Sequence, residues 1–219
     1  MSDPIRLLPP RFLFHFALPC LYRAELWTAA GVQLPDEHRL TSIAELEEGP
    51  QFAEVRTAWN EKGLAFTLRT TGKRKPPWCR EGRIGESDGL NVFIDTRPSQ
   101  KIHRASRFCH HFAFLPSGSE RNAAAPVAGQ LLINRAKEQA DPAPQRLLHV
   151  RSEPRVDGYV LECFIEARAL TGFNPEENPQ LGFTYLVTDS ELGKQTFSIG
   201  NEFPFREDPS LWGMLDLVR

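Results

Sequence analysis

The sequence predicts an all-β protein: an antiparallel β-sandwich of jelly-roll or immunoglobulin-like type, with about ten strands and minor helical turns. Three observations predict it. Eighteen prolines and fifteen glycines punctuate the 219 residues at fairly regular intervals. The apolar runs between them are short and many alternate, which is the pattern of strands joined by turns. Helical periodicity is scarce.

The elements follow in order. AEVRTAWN (53–60), the link Glu61-Lys62-Gly63 and LAFTLRT (64–70) read as a β-hairpin, because a short Gly-containing link joins two alternating runs. GLNVFID (89–95) is a strongly β-prone strand bounded by Ser87-Asp88 and Thr96-Arg97-Pro98. SRFCHHFAFL (106–115) follows and ends at Pro116-Ser117-Gly118. Further strands are expected at GQLLINR (129–135), RLLHVRS (146–152), GYVLECFIE (158–166), LGFTYLVTD (181–189), QTFSIG (195–200) and GMLDLV (213–218). TSIAELEEG (41–49) and EARALTG (166–172) could each supply a helical turn or two. The stretch 71–87 is basic and rich in Pro and Gly, hence a surface loop, and 117–128 and 136–145 are polar or Ala/Pro-rich excursions. No internal repeat or linker divides the chain, so one domain over 1–219 is expected.

Composition narrows the function classes. The formal net charge of -2 gives no general reason to expect nucleic acid or a membrane surface as partner. Locally, residues 69–107 hold ten Lys/Arg against four Asp/Glu, a net of +6, which reads as a basic loop flanking a site. The four cysteines are widely spread with no C-x-x-C pair, as for free thiols in a reducing compartment. No signal peptide is evident at the N-terminus and no apolar run approaches a membrane span, so a soluble cytoplasmic protein is expected.

RASRFCHHF (104–112) draws attention because it sets Cys109, His110 and His111 side by side. Strand alternation divides the cluster. On GLNVFID, Leu90, Val92 and Ile94 form an apolar face suited to the core, while Asn91, Phe93 and Asp95 point the other way. On RFCHHFAFL, Phe108, His110, Phe112 and Phe114 share the apolar face, and Arg107, Cys109, His111, Ala113 and Leu115 oppose it. If the two strands pair, Asn91 and Phe93 lie on one open sheet face with Arg107, Cys109 and His111. A one-residue slip would invert this assignment.

That geometry argues against a nucleophile. Same-face neighbours on a strand have Cα atoms roughly 6.5–7 Å apart, which suits two groups lining a pocket better than a thiol–imidazole hydrogen bond. A metal or redox site from His103, Cys109 and His111, with Asp95 as fourth ligand, is the alternative, although its spacing matches no recognised ligand pattern. A plain polar sheet surface is another. Glu162 and Glu166 would lie roughly 13 Å apart on an extended strand, beyond the usual separation of paired catalytic carboxylates. No G-x-S-x-G, phosphate-cradling Gly-rich loop or H-E-x-x-H pattern occurs, so no enzyme and no cofactor is expected. Trp27, Trp59 and Trp212 are expected in the core. Trp78, after two prolines and beside Cys79 and Arg80, has the context of a stacking platform.

Taken in order, AWNEKGLAFTLRT, the Pro77-Trp78 loop, SDGLNVFIDTR, HHFAFLP, GYVLECFIEARAL, LGFTYLVTD and DPSLWGMLDL resemble the family 9 carbohydrate-binding modules and the wider DOMON-like sandwich group, from about residue 50 to 219. The first 50 residues match only loosely. The resemblance implies a non-catalytic module that holds sugars, commonly at chain ends, between two aromatic side chains with polar residues around them. Trp78 corresponds to the first aromatic, Phe203 or Phe205 stands where the second lies, and Asn201 matches an asparagine shortly before it. The sequence departs from the pattern at Asn91, where the family carries an acidic residue, and at Ala113, where it carries an arginine.

The expectation is therefore non-catalytic binding of a carbohydrate or related small polar or anionic ligand on an open sheet face. Trp78 would stack on the ligand, opposed by Phe205, with hydrogen bonds from Asn91, Arg107, His111 and Asn201. The alternatives are the metal or redox protein above, and an accessory interaction domain whose sugar site has decayed.

Overall fold

The structure, a computed structural model, describes residues 16–41, 50–99, 101–118, 125–200 and 202–219. The hairpin at Glu61-Lys62 shows how the sequence builds its strands. Asn60 accepts from Lys62 N through its Oδ1 at 2.8 Å, closing the turn with a side chain. The same amide donates through Nδ2 to the carbonyls of Arg23 and Ala24, tying the hairpin to an earlier segment.

Eleven strands lie among the described residues: β1 (Ala17–Tyr22), β2 (Ala53–Asn60), β3 (Gly63–Thr70), β4 (Gly89–Asp95), β5 (Cys109–Leu115), β6 (Val127–Leu131), β7 (Leu148–Arg155), β8 (Gly158–Glu166), β9 (Gln180–Asp189), β10 (Gly193–Thr196) and β11 (Gly213–Val218). Among the described residues helical structure is confined to short 3-10 turns, one of them at Ala167–Ala169 within the expected EARALTG segment. The helical turn expected at 41–49 lies, from 42 onward, outside the described residues. Strand β1 was not foreseen. Its sequence ALPCLY carries Pro19, and its pairing is parallel rather than the antiparallel pairing of a hairpin.

The strand order is β6-β5-β4-β9-β11-β1-β2-β3-β8-β7, with β10 paired to β9. Among the described residues every strand pairing is antiparallel except those of β1, which runs parallel to both β11 and β2. β1 follows β11 from Ala17 to Leu21 but meets β2 only at Leu21 and Tyr22, so it passes from one leaf of a sandwich to the other. The leaves close face to face: Phe66 of β3 stacks on Phe183 of β9, with centroids 5.8 Å apart and planes 4° from parallel.

The inner faces follow the alternation. Leu90, Val92 and Ile94 of β4 and Phe112 and Phe114 of β5 enter the main core, as expected. His110 is buried on the same side and stacks on Phe112 at 5.7 Å. Burial pushes its pKa down to about 4, so it serves as a neutral, ring-shaped packing group. Each such buried large apolar side chain contributes about 1.5–3 kcal/mol, and this layer holds the leaves together. Trp59 and Trp212 are buried as expected, whereas Trp27 is half-buried and stacked over Phe164.

Candidate functional site

The other face of β4 and β5 carries the candidate residues, and their register is the one alternation predicts. Asn91 pairs with Ala113, Phe93 with His111 and Asp95 with Cys109. His111 Nε2 lies 2.9 Å from Asn91 Oδ1, and its ring lies flat on Phe93 with centroids 4.1 Å apart. With the amide in this orientation, Nε2–H donates to Asn91 and Nδ1 is the acceptor nitrogen of the ring. Burial, and then the charge of Arg206, push the His111 pKa down to about 3, so the imidazole is neutral.

This face is not open, which corrects the sequence-based expectation. Two apolar layers from distant segments cover it. Cys79 and Ile84, from the loop before β4, pack on Ala113, Leu115 and Val127. Phe205 and Trp212, with Ala105 and Ile133, pack on Phe93, Cys109 and Leu186. Asn91 is left 2% exposed, and the Asn91–His111 pair sits where the two covers meet, a polar island in an apolar roof. Alternation assigns a face but cannot foresee what chain segment folds onto it.

Phe205 belongs to the cover. It is 1% exposed, its ring stands edge-on to Phe93 at 6.0 Å, and its carbonyl accepts from Trp212 Nε1 at 2.6 Å. The expected stacking role for Phe205 is thus corrected: its ring faces the protein. Phe203, two residues earlier, is half-buried. Asn201 lies outside the described residues. Arg107 is also displaced from the expected set. Residues 107–108 form a turn and β5 begins at Cys109, so alternation does not reach Arg107, whose guanidinium lies over Phe108 at 5.1 Å.

Trp78 does stand in a half-buried position on the loop before β4. It lines a cleft of about 900 Å³ with Pro76, Pro77, Arg80, Arg83, Ser117 and Gly118. The guanidinium carbons of Arg80 and Arg83 lie 6.0 and 5.7 Å from its ring centroid. Asp88 fixes the loop: its Oδ2 accepts from Trp78 N at 3.0 Å, and its own N–H donates to the Trp78 carbonyl at 2.9 Å. Asp88 is held in turn by Lys73, whose Nζ reaches Asp88 Oδ2 at 3.3 Å and Asp189 Oδ2 at 2.6 Å. Burial works against the Lys73 charge, but the two carboxylates outweigh it and keep its pKa above the ordinary value. Two glycines allow the loop to lie close. A Cβ on Gly89 would stand 2.2 Å from Phe114 O, and one on Gly118, at φ +108°, would meet Cys79 Cβ at 3.0 Å.

The alternative metal set is not assembled. His103 is 77% exposed and binds Asp208 and Ser210 through Nδ1 at 3.1 and 3.0 Å. Cys109 is buried beside Asp95, and burial together with that neighbouring charge pushes its thiol up to about 12. Among the described residues no group of three His, Cys, Asp or Glu side chains is placed to hold a metal ion. The influence of the Arg206 charge on His111 was missed by sequence reasoning, since the two lie far apart in the chain.

The fold is similar to that of known carbohydrate-binding proteins. A family 9 carbohydrate-binding module from Caldicellulosiruptor kristjanssonii, solved in complex with cellotriose, superposes with a TM-score of 0.57 over 92% of this chain and 93% of that one, at 13% identity. The module from the same organism in complex with glucose gives a TM-score of 0.58 over 93% and 96%, at 14% identity. No protein-family model matches the sequence, and no curated protein matches it. The resemblance read from the ordered segments is borne out in the fold.

Proposed function

We propose that this protein binds a carbohydrate without chemical change to it, using Trp78 as the stacking platform of the cleft it lines. The observation that carries this reading is the setting of Trp78. Its indole is half-buried in a cleft, on a loop anchored by a buried charge network, with two guanidinium groups at its ring. Sugar rings offer apolar C–H faces to an indole, while their hydroxyls need fixed donors and acceptors around it. Arg80 and Arg83 are donors at the ring, and the hydroxyl of Ser117, which lines the same cleft, can donate or accept. The fold shared with modules solved with cellotriose and glucose supports the ligand class. The Cys109 thiol is buried and its pKa is raised, which speaks against a nucleophilic role for it.

Calorimetric titration of glucose and cello-oligosaccharides into the wild type and Trp78→Ala tests the reading. Loss of a stacked aromatic is expected to weaken binding about tenfold or more. Equal binding by the two proteins would remove Trp78 from the site.

A further inference from the structure

The loops before β5, after β6 and before β11 meet around a second cavity, of about 520 Å³, lined by His103, Arg104, Arg135, Pro204, Glu207 and Asp208. It shares no lining residue with the Trp78 cleft. Hydrogen bonds stitch the loops together. Arg104 Nε donates to the Arg135 carbonyl at 2.9 Å, and Lys137 N donates to the Ala105 carbonyl at 2.8 Å. Asn134 Nδ2 donates to Glu207 Oε1 at 2.6 Å, which ties in the loop before β11. Ala105, Ile133, Phe205 and Trp212 of the same loops pack on Phe93 and Cys109, so the polar side chains stand on a fixed apolar base.

The His103 imidazole is fixed in one tautomer. Its Nδ1 lies 3.1 Å from Asp208 Oδ2 and 3.0 Å from Ser210 Oγ. The carboxylate can only accept, and Ser210 gives its hydroxyl hydrogen to Asp208 Oδ1 at 2.6 Å, so Nδ1 is the protonated nitrogen. Nε2 is then the acceptor of the neutral ring, on a side chain 77% exposed. No catalytic triad is formed, because Ser210 and Asp208 meet the same nitrogen. The two arginines are the donors. Arg104 commits Nε and Nη2 to the carbonyls of Arg135 and Ala136, and among the described residues no carboxylate pairs with it. Arg135 is the only non-glycine residue with a positive φ among the described residues, at +58°. Glycine adopts that left-handed conformation freely, whereas a residue with a Cβ does so at a cost. An arginine kept there, exposed and no nearer to Glu207 than 3.8 Å, points to a use for its guanidinium. The carboxylates of the cavity are already engaged, Asp208 by Ser210 and His103 and Glu207 by Asn134.

We propose that this cavity binds a phosphoryl group, as the free ion or as a phosphate monoester, between Arg104, Arg135 and His103. Guanidinium is the donor suited to it, since its planar fork matches two phosphate oxygens at once. His103 Nε2 adds selectivity. A phosphate carrying one proton offers a P–OH to that lone pair, whereas sulfate at neutral pH offers only acceptors. The chain itself favours approach of an anion, because residues 97–107 hold four Lys/Arg and no Asp/Glu. This site is separate from the sugar-binding reading and does not depend on it.

The test titrates inorganic phosphate, glycerol 3-phosphate and sulfate into the wild type and Arg135→Gly, followed by calorimetry and by the NMR signals of the His103 ring. The wild type is expected to bind phosphate with a shift of the His103 signals, and to bind sulfate about tenfold more weakly. In Arg135→Gly phosphate affinity is expected to fall about tenfold, while the thermal midpoint holds or rises because glycine suits the positive φ. Arg135→Asn, an uncharged residue that also tolerates this conformation, is expected to lose as much affinity. Tighter binding of glycerol 3-phosphate than of inorganic phosphate would identify an ester as the ligand, and the reverse order the free ion. Binding of neither phosphate would overturn the proposal, as would equal affinity in the wild type and both Arg135 variants. Binding that leaves the His103 signals unmoved would place the ion elsewhere and overturn it too. Sulfate bound as tightly as phosphate would overturn selection by Nε2.

Discussion

Lys73 Nζ lies 2.6 Å from Asp189 Oδ2, and both side chains are buried at the edge of the sandwich, with Asp88 completing the group. The ammonium joins the end of β9 to the residue that precedes β4, and through Asp88 it holds the backbone of Trp78.

Replacing Lys73 by Met leaves two buried carboxylates without their counterion. Removing one member of a buried ionic group costs about 3–5 kcal/mol, and Lys73→Met is expected to fall in that range. Urea unfolding measures the loss. A midpoint equal to the wild type would show that water, not Lys73, compensates the two aspartates. Weaker binding of glucose by the folded variant is the second expected outcome, since Trp78 N is bonded to Asp88.

His110 makes stability depend on pH. Its folded pKa is depressed to about 4 by burial, whereas the unfolded chain titrates near the ordinary value of about 6.5. Between these values the unfolded state binds a proton that the folded state does not, so stability is fully present above about pH 6.5 and is lost as pH falls towards 4. The contribution is on the order of 3 kcal/mol. In His110→Phe, which keeps a ring against Phe112, the slope of unfolding free energy with pH in this window is expected to fall by about one proton. An unchanged slope would assign the dependence to other groups.

Asn91→Asp places a carboxylate 2.9 Å from His111 Nε2. An adjacent opposite charge favours imidazolium, so the His111 pKa is expected to rise from about 3 by roughly one to three pH units. NMR titration of the imidazole follows this directly. A ring that still titrates near 3 would mean that burial and Arg206 outweigh the new charge.

The four cysteines are free and buried, and burial raises the pKa of each, to about 12 for Cys20 and Cys109. In the native protein at neutral pH none is expected to react rapidly with a disulfide reagent, and all four are expected to react after denaturation. Rapid native labelling of Cys109 would revive it as a reactive group.

Much of the sandwich is legible in the sequence because its strands are bounded by residues with fixed conformational habits. GLNVFID ends at Thr96-Arg97-Pro98 and GYVLECFIE opens at a glycine, and β4 and β8 have those limits. Alternation also placed His110 on the core side and set Asn91 and His111 together on the opposite face. The errors lie where the physics is non-local. Arg107 was assigned by extending the alternation two residues past the true start of β5, into a turn. Phe205 looks like a surface aromatic in the sequence, yet the segment that follows it folds Trp212 back under its carbonyl and turns the ring inward. The openness of the β4–β5 face depends on the loop before β4 and the segment before β11, which are distant in sequence from β5. No local pattern on the strands reports their arrival.

The parallel contact of β1 with β11 has a consequence for biosynthesis. Ala17 pairs with Met214, so a strand made early waits for one made late, and β11 lies between β9 and β1 in the middle of the sheet order. A nascent chain that has emerged from the ribosome through β10 still has a gap where the two leaves should join, with the edges of β1 and β9 unpaired there. Closure of the sandwich therefore waits for β11, and until it arrives the open edges are where the chain is most prone to mispair.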